Sequence, residues 1–250
     1  MKTAWYLGHR QDQVSDRAIL IGDPDRVDRI AAQMSDVVYL PVKRGLKTIT
    51  GSYDGARITV AAFGMGSPIA TIVLHELADL GVTHFLRIGT AIFFPPAEAG
   101  GFIISEEAVS FEGTSAAYGG TGRASADPGL VKNLFTAVEK NGAAAQSGLF
   151  ATFDAFYRDM FAIDPAGHAR VEENRKKLAK QHVIAADMET SALLTAARAL
   201  DVACASLCLG TVDAATLKKL EAGPLAKGEK RMFDIALQAI AAAGNGDGER

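Results

Sequence analysis

Cysteine is nearly absent from this 250-residue chain: Cys204 and Cys208 are the only two. They stand four residues apart in the apolar run Val202–Leu209. On a strand they share a face but lie too far apart along it for easy bridging. The expectation is two buried free thiols, which excludes a disulfide framework. The five histidines show no zinc-ligand spacing, so no metal site is expected. No apolar run reaches the ~18 residues of a membrane-spanning helix. The stretch Met1–Tyr6 lacks the apolar core of a signal peptide, so a cytoplasmic location is expected. A net charge of −3 removes the electrostatic case for nucleic acid or an acidic membrane as partner.

What is present is a hydrophobic content of 48%, enough for a sizeable core. Strands are predicted at Ala18–Ile21, Arg57–Phe63, His84–Ile88, Gly101–Val109, Gln146–Phe150, Val183–Ala186 and Ala203–Leu209. Helices are predicted at Pro24–Met34, Pro68–Leu80, Pro128–Lys140, Glu189–Leu200 and Lys227–Ala242. Their alternation predicts an α/β fold: one domain over residues 1–243, with a central mixed β-sheet flanked by helices on both faces. The Gly-, Ser- and Ala-rich segment Glu112–Asp127 reads as a mobile loop. Arg170–His182 reads as a solvated helix face. Residues 244–250 read as a disordered tail.

Several turns between these elements carry chemistry-bearing residues. In Gly22-Asp23-Pro24-Asp25-Arg26, Asp23 is a natural N-cap and Pro24 suits the first helical position. Arg26 falls in the first turn, where the helix dipole disfavours a cation unless an anion is bound there. The segment is either a phosphate-type site or a capped helix with a solvated arginine. In Gly64-Met65-Gly66-Ser67-Pro68 the glycines permit close backbone approach to a ligand, or simply make a strand–helix turn. Arg87 sits inside the apolar strand Phe85–Ile88 and needs a partner, either Glu76 or the same anion as Arg26. Thr90 follows at the strand's C-terminal end, where α/β folds bind ligands.

Asp187-Met188-Glu189 begins a helix, where acidic residues are favoured by the dipole alone. Asp213 follows the strand Ala203–Leu209 as an N-cap or as a carboxyl placed for proton transfer. The cluster Phe153–Tyr157 is core packing or a stacking surface for a planar base.

In this order, from about Trp5 to Phe233, these segments resemble the nucleoside phosphorylase family. They are most similar to its hexameric branch of purine nucleoside and uridine phosphorylases. The carrying motifs are Gly22–Arg26, Phe63–Gly66, Leu86–Thr90 and Asp187–Glu189. The resemblance implies phosphate binding by Gly22, Arg26, Arg87 and Thr90, with Arg44 lent by a neighbouring subunit. It implies ribose binding by Met188 and Glu189, base packing on Phe156, and a proton donor at Asp213. It implies no cofactor, inorganic phosphate as co-substrate, and a dimer-based homo-oligomer, possibly a hexamer.

The departures lie at the other end of that implied site. Tyr6 stands where the family has a histidine for a neighbour's ribose, and His9 is a second candidate. Ala91 and Ile92 stand near the base, where the family has glycine. Met160 and Ala162 replace the glutamine and arginine that read uracil. Gly45 replaces a cation-binding glutamate, and Val212 a serine. Lys230 stands where purine enzymes carry an arginine that assists the aspartate. The resemblance therefore implies phosphorolysis of a nucleoside, purine favoured over uridine. A hydrolytic nucleosidase and a nucleoside-binding protein are the other readings.

Overall fold

The computed structural model describes residues 2–162 and 164–244. Strands and α-helices alternate as β1 (Arg17–Ile21), α1 (Pro24–Ala31), β2 (Ser35–Tyr39), β3 (Thr48–Tyr53), β4 (Ala56–Ala62), α2 (Ser67–Asp79) and β5 (His84–Phe93). Then come β6 (Phe102–Phe111), α3 (Thr114–Ala117), β7 (Arg123–Ser125), α4 (Pro128–Lys140), β8 (Ala145–Phe153), α5 (Phe156–Asp159) and α6 (Pro165–Lys180). The chain continues through β9 (Val183–Asp187), α7 (Thr190–Ala199), β10 (Ala203–Asp213) and α8 (Ala222–Ala241). The expected α/β architecture with a mixed sheet is observed. Among the described residues no helix is long and apolar enough to cross a membrane.

The strand order is β10-β6-β8-β9-β5-β1-β4-β3-β2, and β10 pairs with β5 as well. Five strands thus close on themselves, and the other main strands extend from β5 as an open sheet. One apolar face is covered by α1, α4 and α8 through Val27, Ile30, Leu134, Phe233 and Ile240. The other is covered by α2 and α7 through Val73, Leu77, Leu193 and Ala196.

β5 is the hinge of this topology. β10 accompanies it in parallel from His84 to Phe93. On its other flank, β1 pairs only with the first half, ending at Ile21 opposite Ile88. The antiparallel β9 takes over at Ala186 opposite Ile92. The sheet therefore forks between Ile88 and Ile92. The C-terminal ends of β1 and β9 meet there from opposite directions, and the end of β4 lies beside β1. A fork of this kind is the place where α/β sheets open a crevice for ligands.

Most predicted elements are present with shifted ends. β5 runs five residues and β10 four residues beyond their predicted ends, because the closed half of the sheet pairs them further. β2 and β3 were not predicted. β2 is mostly exposed, and β3 interrupts its apolar pattern with Gly51 and Ser52. Residues 245–250 of the expected tail lie outside the described residues.

The expected mobile loop is instead a folded segment. It contains α3 and β7, and β7 pairs with β6. Its anchor is the buried Glu112 carboxylate. It accepts hydrogen bonds from the Ser110 hydroxyl (2.7 Å), the Ser115 amide (3.0 Å) and the Ser191 hydroxyl (3.0 Å) of α7. Burial pushes this carboxyl up, but the bonds from Ser115, Ser110 and Ser191 together hold it below the ordinary glutamate range. Its contribution to stability is therefore present above the ordinary glutamate pKa and is lost as pH falls through the lower folded value. Glu112→Ala is expected to cost about 2–3 kcal/mol, because it leaves buried donors unsatisfied. Hydrogen exchange should quicken first in residues 113–125, and the loss should shrink in acid. Unchanged exchange there would contradict the anchoring role.

Candidate functional site at the sheet fork

A cavity of about 1200 Å³ opens at the fork. Gly22, Arg26, Arg87, Thr90, Met188 and Glu189 line it, so six residues from three separate stretches of sequence converge on one space. Ala91, Ile92 and Phe156 line it as well.

The β1–α1 turn forms as its sequence dictates. Asp23 caps α1 by accepting the Asp25 amide at 2.9 Å, and Pro24 opens the helix. Gly22 is required by space: a Cβ there would lie 2.9 Å from the Gly64 carbonyl oxygen. Arg26 is neither solvated nor alone. Its NH2 bonds the Glu229 carboxylate of α8 at 2.6 Å, and Arg29 bonds the other oxygen of Glu229 at 2.6 Å. Glu229 thus settles the conflict between Arg26 and the helix dipole. Sequence reading missed it. The available signal was its position, four before the buried Phe233 and three before the buried Met232, on the apolar face of α8.

Arg87 is buried at the fork itself. Its expected structural partner, Glu76, is engaged elsewhere, accepting the amides of Tyr6 (2.6 Å) and Leu7 (2.8 Å). Arg87 instead donates to Glu189 at 2.7 Å and lies 3.2 Å from Asp187. It also reaches the Ser206 hydroxyl and the Cys208 thiol. Burial works against the charge of Arg87, but Cys208, Asp187 and Glu189 outweigh it and keep the guanidinium firmly cationic. The two cysteines are buried free thiols on β10. Burial pushes Cys208 up to about 11 and Cys204 to about 12, so neither is a thiolate at neutral pH.

Glu189 precedes α7 rather than lying in its first turn. Its side chain does not cap that helix; it accepts from Arg87 and, at 2.7 Å, from the Gly66 amide. Gly66 presents that amide from a φ of +99°, in the region that favours glycine. Burial raises the Glu189 pKa, against the pull of Arg87, and the nearby Asp187 adds to the rise. Asp187 itself is held by the Thr152 hydroxyl at 2.8 Å and by the Thr190 hydroxyl. The Met188 carbonyl accepts from Ser67 at 2.7 Å. The α2 and α7 starts are thereby tied together across the cavity floor.

The far wall is mixed: Ala91, Ile92 and Phe156 line it together with Asp154, Arg158, Asp164 and Arg170. Ile92 is buried with Phe153 and Met160 in a small third core cluster. Phe156, partly buried, packs on the same cluster and stacks on Phe161 with ring centroids 4.9 Å apart. It also meets Tyr157 edge-on at 5.6 Å. Core packing and a face toward the cavity coexist in Phe156. In α6, Val171 and Leu178 are the buried residues, while Arg170, at the start of the expected solvated face, lines the cavity and donates to Asp159 at 2.9 Å.

Four expected site residues stand elsewhere: among the described residues the cavity wall does not include Asp213, Lys230, Arg44 or Tyr6. Asp213 turns toward its own loop and accepts the amides of Ala215 (2.8 Å) and Thr216 (2.7 Å). Those bonds, Thr216 foremost, hold it below the ordinary carboxylate range, and the carboxylate serves here as a cap of its own loop. Lys230 is exposed on α8, and its neighbour Glu229 is the residue that reaches the site. Arg44 lies over the ring of Tyr6, 4.7 Å from its centroid, on the outer surface. His9, the second candidate for the role of Tyr6, is buried and cannot reach a neighbour. Among the described residues no three His, Cys, Asp or Glu side chains cluster so as to hold a metal.

The arrangement can bind an anion between the Gly22 turn, Arg26, Arg87 and Thr90, and can accept hydroxyl hydrogen bonds at Glu189. The chain is 34% identical over 155 residues to the uridine phosphorylase of Thermococcus kodakarensis, covering 61% of this chain and 56% of that protein. It is 35% identical over 151 residues to the guanosine phosphorylase of Halorubrum lacusprofundi, covering 60% and 63%. These alignments thus span less than two thirds of each relative's length. The fold matches the crystal structure of uridine phosphorylase from Vibrio fischeri with a TM-score of 0.82 at 28% identity, over 96% of this chain and 98% of that one. Residues 16–241 match the model of the phosphorylase superfamily, and the chain belongs to that family.

Proposed function

We propose that this chain is a nucleoside phosphorylase, cleaving the N-glycosidic bond of a nucleoside with inorganic phosphate to give free base and pentose 1-phosphate. The observation that carries the reading is the convergence of Gly22, Arg26, Arg87 and Thr90 opposite Glu189 across one cavity. A phosphate oxygen attacks C1′, the C1′–N bond breaks, and its electron pair leaves on the base, which takes up a proton. The arginines suit a dianion because they stay charged and offer paired donors. Catalysis here is chiefly positioning and stabilisation of the cationic sugar. Glu189 is proposed to accept the 2′- and 3′-hydroxyls, with Met188 beside the sugar. Phosphate is proposed as the sole co-substrate, without a cofactor.

Purine nucleosides are proposed over uridine. The base end offers Ile92 and Phe156, and Met160 and Ala162 stand at the positions where uridine phosphorylases read uracil with a glutamine and an arginine. Two of the three relatives named above are uridine phosphorylases and one is a guanosine phosphorylase, so the test must include both. Free-base release is to be measured from inosine, guanosine, adenosine, methylthioadenosine, uridine and thymidine, each with and without phosphate. Release from a purine nucleoside only with phosphate is expected. Release from uridine alone would reverse the base assignment, and release without phosphate would make the protein a nucleosidase.

Arg44 and Tyr6 are proposed to serve the site of a neighbouring copy in a homo-oligomer. Their support is exposure next to Trp5, 87% exposed, and Val42, 56% exposed, an apolar surface suited to a second subunit. A cytoplasmic location is proposed with it. Subunits carrying Arg44→Ala and subunits carrying Arg87→Ala, each impaired alone, should regain activity when refolded together. No recovery in mixed oligomers would confine each site to one chain.

The raised pKa of Glu189 places a second prediction on the pH profile. Its ionised form is the acceptor, so kcat/KM for nucleoside should fall on the acid side at a pH above the ordinary glutamate value. Glu189→Gln should lower kcat/KM and flatten that limb. A profile with the same acid limb in both proteins would assign the limb to another group.

A further inference from the structure

We propose that Glu229, clamped by Arg29, is the positioning residue that sets Arg26 for phosphate. The proposal rests on the phosphorylase reading above. Glu229 is a buried carboxylate on a helix whose other buried residues are apolar or small, a costly placement unless it is fully paired. Both of its oxygens are engaged, one by Arg26 and one by Arg29, each at 2.6 Å. Arg26 is thereby held at NH2 alone. Its Nε is buried and has no hydrogen-bond partner, while the residue lines the cavity. Asp23, the nearest other carboxylate, stays 3.8 Å from that Nε. The guanidinium is gripped at one corner and left unsatisfied at another, the state of a group prepared for a further acceptor.

Arg29 completes the device electrostatically. A lone Glu229 would neutralise Arg26 and compete with phosphate. Two arginines around one carboxylate leave a net positive charge, so Arg26 keeps its attraction for a dianion. Arg29 is itself fixed, with its guanidinium 5.3 Å from the Phe233 ring centroid on the same helix. Its outer side remains 44% exposed, so replacing it does not open the core. The Arg26–Glu229–Arg29 chain also couples α8 to the phosphate site, although α8 supplies no residue to the cavity wall described above.

The test uses the full chain with Glu229→Gln, which preserves shape, and with Arg29→Ala, which leaves the buried groups in place. The readouts are kcat, KM for phosphate and nucleoside separately, thermal midpoint, and phosphate binding by calorimetry without nucleoside. Glu229→Gln should raise the phosphate KM and Kd by about tenfold, since a charge-assisted bond that orients Arg26 is lost. Nucleoside KM should not move. Arg29→Ala should weaken phosphate in the same direction with an unchanged thermal midpoint. Unaltered phosphate affinity in both variants would make Glu229 a purely structural residue and overturn the proposal. Tighter phosphate binding by Glu229→Gln would overturn it too, since Glu229 would then be a competitor. If the wild-type protein shows no phosphate-dependent cleavage, the phosphorylase reading fails separately. Calorimetry still decides: phosphate binding weakened by Glu229→Gln supports the positioning role, and unchanged binding refutes it.

Discussion

The structure turns on one buried cation. Arg87 sits where β1 ends and β9 begins along β5, with two carboxylates, Asp187 and Glu189, brought to it from the opposite strand. Burying these charges is costly, and only their mutual attraction and bonds from Thr152, Thr190 and Gly66 make it tolerable. Arg87 keeps backbone pairing on both flanks, to Leu20 of β1 and Ser206 of β10, and its side chain lines the cavity that opens just beyond. Removing Arg87 would leave both carboxylates without their counter-charge, which couples stability to function at this point.

Around that centre the two halves of the cavity differ in kind. The half near Gly22 and Arg26 is polar, built from backbone turns and paired arginines. The half near Ile92 and Phe156 joins a small apolar core cluster to the charged side chains of Asp154, Arg158, Asp164 and Arg170. Phosphate and sugar need directional, charged contacts; a planar base needs a flat apolar surface.

Local signals made much of this legible in the sequence. Gly22–Arg26 and Gly64–Pro68 announce themselves because caps, prolines and positive-φ glycines act within a few residues. Long-range pairing was not legible. Arg87 clearly needed a partner, and the sequence suggested Glu76 or a bound anion, whereas the fold delivers Asp187 and Glu189. Glu229 was hidden because its role depends on α8 lying against α1, a fact of topology. β3 was missed because Thr48–Gly51 are buried in succession while its sequence offers only Ile49 and Tyr53 as large apolar residues. Asp213 illustrates the reverse case. An aspartate after a strand is as readily a loop cap as an acid, and its bonds to Ala215 and Thr216 are those of a cap.

The central claim is that the paired arginines exist to hold a phosphate that becomes bonded to the sugar. Phosphorus NMR of the enzyme with a cleavable nucleoside and inorganic phosphate tests this most directly. The account predicts a pentose 1-phosphate resonance that grows in step with free base while the inorganic phosphate signal declines. Free pentose appearing with the phosphate signal unchanged would contradict it.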